Sequence, residues 1–464
     1  MPTDTSGIVA ASPEAVLQLF HTAFGSEPDP GRLDKARIFA ILDNDGRPAA
    51  AAAVETGDSW HLWLLAADDG HRGKGLGSRL IRHILDLAAS EGAGDVRIKT
   101  FRKWSGMQAI LSEGDWHLCG AEPATRYDGV REIWRHPIVK APARLLVVGA
   151  NPQGRGGEWL EQACSLRTLF RIAAVVDPND SVRAHWESGG VPAFRSLEEL
   201  ANPHCIDAAV IAVPPMHVAT IQHECIRLGI PYLVEKPMAA SLAELLDLQR
   251  RLNEAEMGLA IGVQRRAHPS YVALKSALRE QPVADLSIRI ALGRPRTDAP
   301  SGHRADRSQC RGGALLDLGY HALDLTHFLL GRPLELVSCS LASDMDLATG
   351  IESSARILGR CGLTWVRLEV DRNGPGKSEE VRARTSDGVW VADRERVTGP
   401  DGSAYYECPG SWEKAEHGTL ASLASLAATG RCRGTDLWEH LALFETVEQA
   451  YSSARLLGIE GFTA

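Results

Sequence analysis

Three polar residues combine type and spacing in a way that suits proton and hydride chemistry. Asp317 and His321 stand four apart in Gly312-Gly-Ala-Leu-Leu-Asp-Leu-Gly-Tyr-His-Ala-Leu-Asp324, so on a helix they share one face. Asp324 falls off that face and reads as structural. Lys236 sits in Glu235-Lys-Pro237, directly after the strand-like run Pro231-Tyr-Leu-Val234. Hydride exchange at a carbinol needs a group that takes or gives the hydroxyl proton and charged donors that orient the carbon. Lys236, Asp317 and His321 together supply both.

Two glycine-rich turns could hold phosphates. The first is Arg72-Gly73-Lys74-Gly75-Leu76-Gly77, between the strand-like Trp60–Ala66 and a helix carrying Leu80, Ile81, Ile84 and Leu85. Such a turn presents backbone N–H groups at the positive end of a helix. Its spacing fits neither a Walker loop nor a dinucleotide fingerprint. The second is Gly149-Ala-Asn151-Pro-Gln-Gly154, which follows the buried-strand run Arg144–Val148. The middle glycine of G-x-G-x-x-G is here Asn151, a residue that tolerates left-handed dihedrals better than most. Asp177 ends the next strand, where it suits a ribose 2′-hydroxyl and repels a 2′-phosphate. This favours NAD over NADP, although Arg183 a few residues on could reverse the preference.

The elements around these residues follow from periodicity. In the N-terminal part, Val16, Leu17, Phe20 and Phe24 recur at helical spacing after Ser12, a helix-capping type. Ala36–Leu42 and Ala49–Glu55, joined across Asn44-Asp-Gly46, read as a hairpin. Trp60–Ala66 and Asp95–Phe101 read as further strands. The segment His136–Ala143, with two prolines, reads as a linker. Beyond it, strands at Arg144–Val148, Ile172–Val176, Ala208–Val213 and Pro231–Val234 alternate with helices, which implies a doubly wound parallel sheet. Its ligand crevice would lie at the carboxyl ends of the strands. Those ends carry Gly149, Asp177, Pro214 and Glu235, with His217 opening the next helix.

With 464 residues, 44% hydrophobic and 23% charged, the chain needs more than one core. Fifty Lys and Arg against 59 Asp and Glu give a net charge of −9, so there is no global pull toward nucleic acid or anionic membrane. No secretory or membrane segment is legible, and a cytoplasmic location is expected. The nine cysteines form no C-x-x-C pair, so no metal site is expected.

The Arg72–Gly77 turn, with the elements around it, resembles the acyl-CoA pyrophosphate loop of the GNAT superfamily of N-acetyltransferases. The resemblance implies acetyl-CoA binding by Arg72, Gly73, Lys74, Gly75 and Gly77. Ser112 stands about where many such enzymes place a tyrosine that reprotonates the leaving thiolate. No general base is evident; Glu55, Asp68 and Asp69 are the nearby carboxylates. Glu235-Lys-Pro237, Gln264-Arg-Arg-Ala-His-Pro269 and the Gly312–Asp324 segment together resemble the Gfo/Idh/MocA oxidoreductases, from about residue 144 onward. The closing stretch Thr435–Leu457 is also similar to that family's last helix. This resemblance implies a dinucleotide held by Gly149, Asn151, Gly154, Asp177, Pro214, His217, Glu235 and Lys236. Lys236 would contact the nicotinamide ribose and substrate, Asp317 would orient substrate, and His321 would act as acid/base. It also implies an open sheet used for assembly, hence a homo-oligomer, dimer or tetramer.

The expected fold is therefore α/β throughout. A GNAT-like domain over 1–137 precedes a Rossmann domain over 144–265. An α/β substrate domain over 266–464 carries an open, mainly antiparallel sheet. The expected function is a two-headed enzyme. An NAD(P)-dependent oxidoreductase would act on a hydroxyl, keto or imine group of a small amino-sugar-like or amine metabolite, coupled to acetyl-CoA-dependent N-acetylation. The alternatives are an oxidoreductase with a scaffold GNAT-like domain, and a dinucleotide-sensing regulator. Retention of Lys236, Asp317 and His321 together argues against the last. His303, Arg304 and Arg307 remain candidate substrate contacts.

Overall fold

A computed structural model describes residues 7–124, 129–200, 205–293, 306–342, 351–373, 376–430 and 437–456. His303 and Arg304 lie outside the described residues, as does the Arg307 side chain. The chain forms two units, the first running to Ala141 and the second beginning at Pro142.

The first unit is built on seven strands: β1 (Ile8–Ala10), β2 (Arg37–Leu42), β3 (Pro48–Glu55), β4 (Ser59–Ala67), β5 (Asp95–Phe101), β6 (His117–Pro123) and β7 (Val130–Pro137). They are ordered 1-2-3-4-5-7-6. The alanine run forms the middle of β3, where small side chains let both faces be covered closely. Ala51 and Ala53 pack under α1 (Pro13–Phe24) and α2 (Pro30–Leu33) with Val16, Phe20 and Leu33. Ala50 and Ala52 pack on the other face with Leu80, Ile81 and Ile84 of α3 (Leu76–Ser90) and Leu111 of α4 (Ser105–Glu113). Ser12 caps α1 as its residue type suggests, accepting from Ala15 N. The one parallel contact, β4 with β5, runs only from Ser59/Asp95 to Leu62/Ile98, after which the strands part. On the opposite edge of β4, Trp63 is the extra residue of a bulge against β3.

The second unit begins with a six-stranded, all-parallel sheet. Its strands are β8 (Ala143–Val148), β9 (Phe170–Val176), β10 (Ala193–Phe194), β11 (Ala208–Ile211), β12 (Tyr232–Glu235) and β13 (Leu259–Gly262), in the order 10-9-8-11-12-13. The order reverses between β8 and β11, the switch point at which such sheets bind ligands. The linking helices are α5 (Arg155–Ser165), α6 (Asp180–Ser188), α7 (Pro215–Leu228) and α8 (Leu242–Glu254), followed by α9 (Pro269–Ala277).

An eight-stranded mixed sheet follows, with β14 (Asp285–Leu292), β15 (Glu335–Ala342), β16 (Ser354–Cys361), β17 (Thr364–Asp371), β18 (Lys377–Thr385), β19 (Gly388–Ala392), β20 (Arg396–Thr398) and β21 (Ala404–Glu407). Only β14 and β17 pair in parallel. The short α10 (Arg307–Cys310) and a π-helical turn, Leu315–Gly319, lead into α11 (Tyr320–Leu330). Helices α12 (Trp412–Thr429) and α13 (Leu437–Leu456) complete the unit, and α12 packs back on the parallel sheet. No helix among the described residues is long and apolar enough to cross a membrane.

Candidate active sites

In the second unit, the glycines after β8 are demanded by sterics. A Cβ on Gly149, whose φ is +82°, would lie 2.5 Å from the carbonyl oxygen of Ala212 just past β11. The close helix–strand approach falls on Gly156, two residues beyond the last glycine of the fingerprint. A Cβ at Gly156 would lie 1.9 Å from Gly149 O, whereas one at Gly154 would meet nothing nearer than 3.5 Å. The turn is two residues longer than the fingerprint, and Asn151 shapes it. Its backbone carbonyl accepts from Gly154 N and Gly157 N, and its side chain accepts from Gln153 N. Helix α5 then starts without a side-chain cap, and its first N–H groups, those of Arg155 and Gly156, have no side-chain acceptor among the described residues. Asp177 ends β9 with its carboxylate accepting from Asn179 N, while Arg183 is bound to the Asp177 carbonyl and to Asp180. These features fit a dinucleotide: a close backbone approach, uncapped amides and an acidic ribose partner on adjacent strand ends. Pro214 and exposed His217 open α7 beside this turn.

Glu235 is differently employed from a free ligand. Its Oε1 accepts from Arg155, Trp159 and Gln264 at 3.0, 2.8 and 3.1 Å, locking the end of β12 to the start of α5. The next residue, Lys236, reaches across to the π-helical turn. Its Nζ donates to Asp317 Oδ1 and to the Asp317 backbone carbonyl, both at 2.8 Å. The other carboxylate oxygen, Oδ2, accepts from Arg372 at 3.0 Å. Lys236 and Asp317, distant in sequence, are thus brought together, and Arg372, which no motif marks, joins them from the end of β17. His321 is buried, and its Nδ1 has no partner among the described residues. Burial, aided by Arg265 and Lys236, pushes its pKa well below the usual histidine value, so the ring is neutral. Asp324 is held by Arg266 at 2.7 Å, in keeping with a structural role.

The start of the helix that bears Asp317 and His321 is set by Glu352. This buried carboxylate accepts from Gly313 N, Leu315 N and the Tyr451 hydroxyl. Gly312 and Gly313 are required by that contact, since a Cβ would come within 2.3 Å of Tyr451 Oη and 2.1 Å of Glu352 O respectively. Burial raises the Glu352 pKa against the lowering effect of these donors.

In the first unit, Gly73 and Gly75 both take φ near +75°, with open space where a Cβ would stand. Gly75 also caps α3, with no side chain covering the helix start. Gly77 instead packs close, a Cβ lying 3.3 Å from Ile110. Arg72 is exposed and paired with Asp69. His71, Lys74, Leu76 and Arg79 face a cavity of about 470 Å³ shared with Ile41 and Asp43. Uncapped amides and left-handed glycines beside two cations fit a diphosphate. Asp68 is tied to Gly70 N and His71. The Ser112 hydroxyl donates to Ala109 O within its own helix. Glu55, the third carboxylate, is clamped by Arg32, which with His61 holds its pKa down at about 2.

These two sites and three sheets define an NAD-binding Rossmann oxidoreductase joined to an acetyltransferase-type domain. Residues 143–263 match the oxidoreductase family with the NAD-binding Rossmann fold, and residues 274–403 match the Gfo/Idh/MocA C-terminal domain. Residues 12–103 match the acetyltransferase (GNAT) family. The chain thus belongs to the Gfo/Idh/MocA oxidoreductases over its second unit and carries a GNAT-family domain before it. It is 28% identical over 190 residues to the rhizopine catabolism protein MocA of Rhizobium meliloti, covering 41% of this chain and 57% of that protein. It is 34% identical over 167 residues to a putative UDP-kanosamine synthase oxidoreductase subunit of Amycolatopsis mediterranei, covering 35% of this chain and 45% of that protein. The chain therefore spans only about half the length of the curated relatives it matches. Among solved structures, GenD2 from gentamicin A biosynthesis in complex with NAD superposes with a TM-score of 0.59 at 21% identity, covering 68% of this chain and 95% of that one. The WlbA dehydrogenase of Bordetella pertussis, in complex with NADH and UDP-GlcNAcA, does so with a TM-score of 0.59 at 18% identity, over 69% of this chain and 97% of that one.

Proposed function

We propose that the chain is a bifunctional enzyme. Its second unit oxidises or reduces a hydroxyl or keto group of a polar amino-sugar-like metabolite with NAD, and its first unit transfers an acetyl group from acetyl-CoA to an amine. The observation that carries the first half is the Lys236–Asp317–Arg372 cluster beside neutral His321, in a unit whose β8 turn and Asp177 suit a dinucleotide. NAD, when bound, supplies the hydride acceptor, and its reduced form the donor. Lys236 steadies the substrate oxygen with its one remaining N–H. Asp317, charged on both sides by Lys236 and Arg372, fixes the lysine and offers its carboxylate edge to a neighbouring hydroxyl. His321, kept neutral by burial, takes the hydroxyl proton in oxidation and returns it in reduction.

The sugar-linked relatives support this substrate class. They include the UDP-kanosamine synthase subunit and a dTDP-3,4-didehydro-2,6-dideoxy-alpha-D-glucose 3-reductase of Streptomyces violaceoruber. A sugar that carries both a carbinol and an amine offers each unit a target, which is why a fusion of the two activities is coherent. Fluorescence titration with NADH and NADPH, and calorimetry with acetyl-CoA, test the reading on the full chain. NADH should bind about tenfold more tightly than NADPH, because Asp177 meets the 2′-phosphate with a like charge. Equal NADPH binding would overturn the Asp177 argument, and no binding of either nucleotide would overturn the dehydrogenase reading. Failure of acetyl-CoA to bind would reduce the first unit to a scaffold.

A further inference from the structure

One face of the first unit's sheet is covered over half its width. Helices α1 and α2 close a core over β2, β3 and β4, through residues such as Ile38, Ala51 and Ala66. Among the described residues that core takes nothing from β5, β6 or β7. On β5, Val96 and Ile98 pack toward α3 on the other face, so alternation turns Arg97, Lys99 and Phe101 to the side of α1 and α2. Register then sets Arg97 opposite Arg135 of β7, Lys99 opposite Ile133, and Phe101 opposite Arg131. Four cations thus share the half of the face that the helices leave open. Their side chains are between 20% and 39% exposed, neither solvated freely nor sealed in.

Two carboxylates serve these four cations. Glu122 of β6 accepts from Lys99 Nζ at 3.1 Å and from Arg131. Asp95, at the start of β5, is divided among Ser59, Arg97 and Arg135. It lies 3.3 Å from Arg97 Nε and 3.6 Å from Arg135 Nε, the second beyond hydrogen-bonding reach. The Nε atoms of Arg131 and Arg135 are buried without a hydrogen-bond partner among the described residues. Like charges directly opposite on neighbouring strands cost stability, and so do buried donors without acceptors. Both costs fall when an anion with several oxygens lies over the group, and arginine is the residue that phosphate oxygens fit best. At the C-terminal end of β5, the Phe101 ring centre lies 5.1 Å from that of Trp104, which lies 6.1 Å from that of Phe24 on α1. Lys103 stands over the Phe101 ring. From Arg97 to Phe101 is about 14 Å of strand, the scale of a nucleoside diphosphate. Aromatic rings beside cations are what a base followed by phosphates requires.

We propose that this open half of the face binds the diphosphate of a nucleotide-linked amino sugar, so that the acetyl acceptor of the first unit is a nucleoside-diphosphate sugar and not a free one. The proposal rests on the acetyltransferase reading of that unit. Arg97 and Arg135, with Lys99 and Arg131, hold the phosphates, and the corner of Phe24, Phe101 and Trp104 receives the base. Arg97 stands one residue before Ile98, the last position at which β5 pairs with β4, so the phosphates lie beside the parting of those strands. The chain as a whole carries a net charge of −9, and the cations of this face run against it. An acceptor without phosphates would leave the opposed arginines as they stand.

Release of CoA thiol by the full chain tests this, with 2-amino and 3-amino hexoses as acceptors, free and linked to UDP or dTDP. The linked sugars should be acetylated with a kcat/KM about 10²-fold above that of the free ones. Added salt should shrink that preference, because the contacts are partly exposed. UDP should inhibit competitively against the linked sugar and not against acetyl-CoA. Replacing the opposed pair, Arg97→Gln with Arg135→Gln, should cut the preference for linked sugars about tenfold. Lys99→Gln with Arg131→Gln should do the same, and calorimetry with acetyl-CoA reports whether each variant is folded. A merely structural role for these residues would lower the rates with free and linked sugars together and leave their ratio in place. Equal rates with free and linked sugars overturn the proposal, as does a preference that neither pair of substitutions moves. UDP that competes with acetyl-CoA overturns it too, and so does acetyl-CoA binding without transfer to any of these amines. Failure of the wild-type protein to bind acetyl-CoA overturns the underlying reading instead.

Discussion

Both units hold a glycine-rich turn between a strand and an uncapped helix, yet the two turns use glycine for different reasons. Gly73 and Gly75 stand in open space and are there for their left-handed dihedrals. Gly156 and Gly157 are there because other backbone atoms occupy the place of a side chain, and Gly149 meets both demands at once. The imidazoles differ in the same sense. His321 is reached through a local motif, four residues from Asp317. His61 acquires Glu55 and Arg32 from other elements. Glycine counts and motif spacing capture what is local, and they do not distinguish conformational from steric demand.

The largest expected effect separates the two proposed activities. Lys236→Ala should lower the dehydrogenase rate by about 10²–10³, the usual cost of losing a charged donor in a partly dry site. Acetyl-CoA affinity, read by calorimetry, should not change; a parallel loss would break the independence of the two sites. The turns themselves give the next contrast. Gly156→Ala drives a Cβ into the carbonyl of Gly149 and should destabilise the second unit by about 3 kcal/mol. Gly75→Ala meets only dihedral strain, about 1–2 kcal/mol. Calorimetric unfolding of each variant checks this, and equal losses would remove the distinction between the turns.

A further effect is a pH slope the units should share. Burial lowers His136 in the first unit and His268 in the second from 6.5 to about 4. A histidine whose folded pKa is depressed contributes stability that is full above about 6.5 and is lost as pH falls through about 4. Both unfolding transitions should move to lower temperature across that window. His268→Gln should flatten the slope for the second unit alone.

Much of the fold is legible because hydrophobic periodicity is local. Strand β5 spans Asp95–Phe101 as its pattern indicates, and the alanine run is a strand. Strands β6 and β7 escape the sequence reading, their alternation being masked by the charged residues Glu122, Arg131 and Glu132 that pair on and beside them. In the dehydrogenase site, Lys236 and Asp317 are visible from motif types, and the structure brings them into contact. Arg372 is not visible, because it follows an ordinary strand and matters only through β17 packing beneath the π-helical turn. Glu235 carries a motif position yet spends its carboxylate on Arg155, Trp159 and Gln264, partners 80, 76 and 29 residues away. Gly156 is the second residue of α5, two places past the sixth position of the fingerprint, so counting along the motif passes over it.

The bond from Tyr451 to Glu352 has a consequence in time. Glu352 sets the start of the helix that bears Asp317 and His321, and it is completed from α13. During synthesis the first unit has all its strands once Ala141 has emerged, whereas Glu352, which holds the start of the dehydrogenase helix, lacks its last donor until Tyr451 emerges. At about 5–20 residues per second, that interval is roughly 15–60 s. A ribosome carrying this chain therefore holds a folded acetyltransferase-type domain well before the dehydrogenase unit is complete, and the two proposed activities should appear in that order in a synchronised translation reaction.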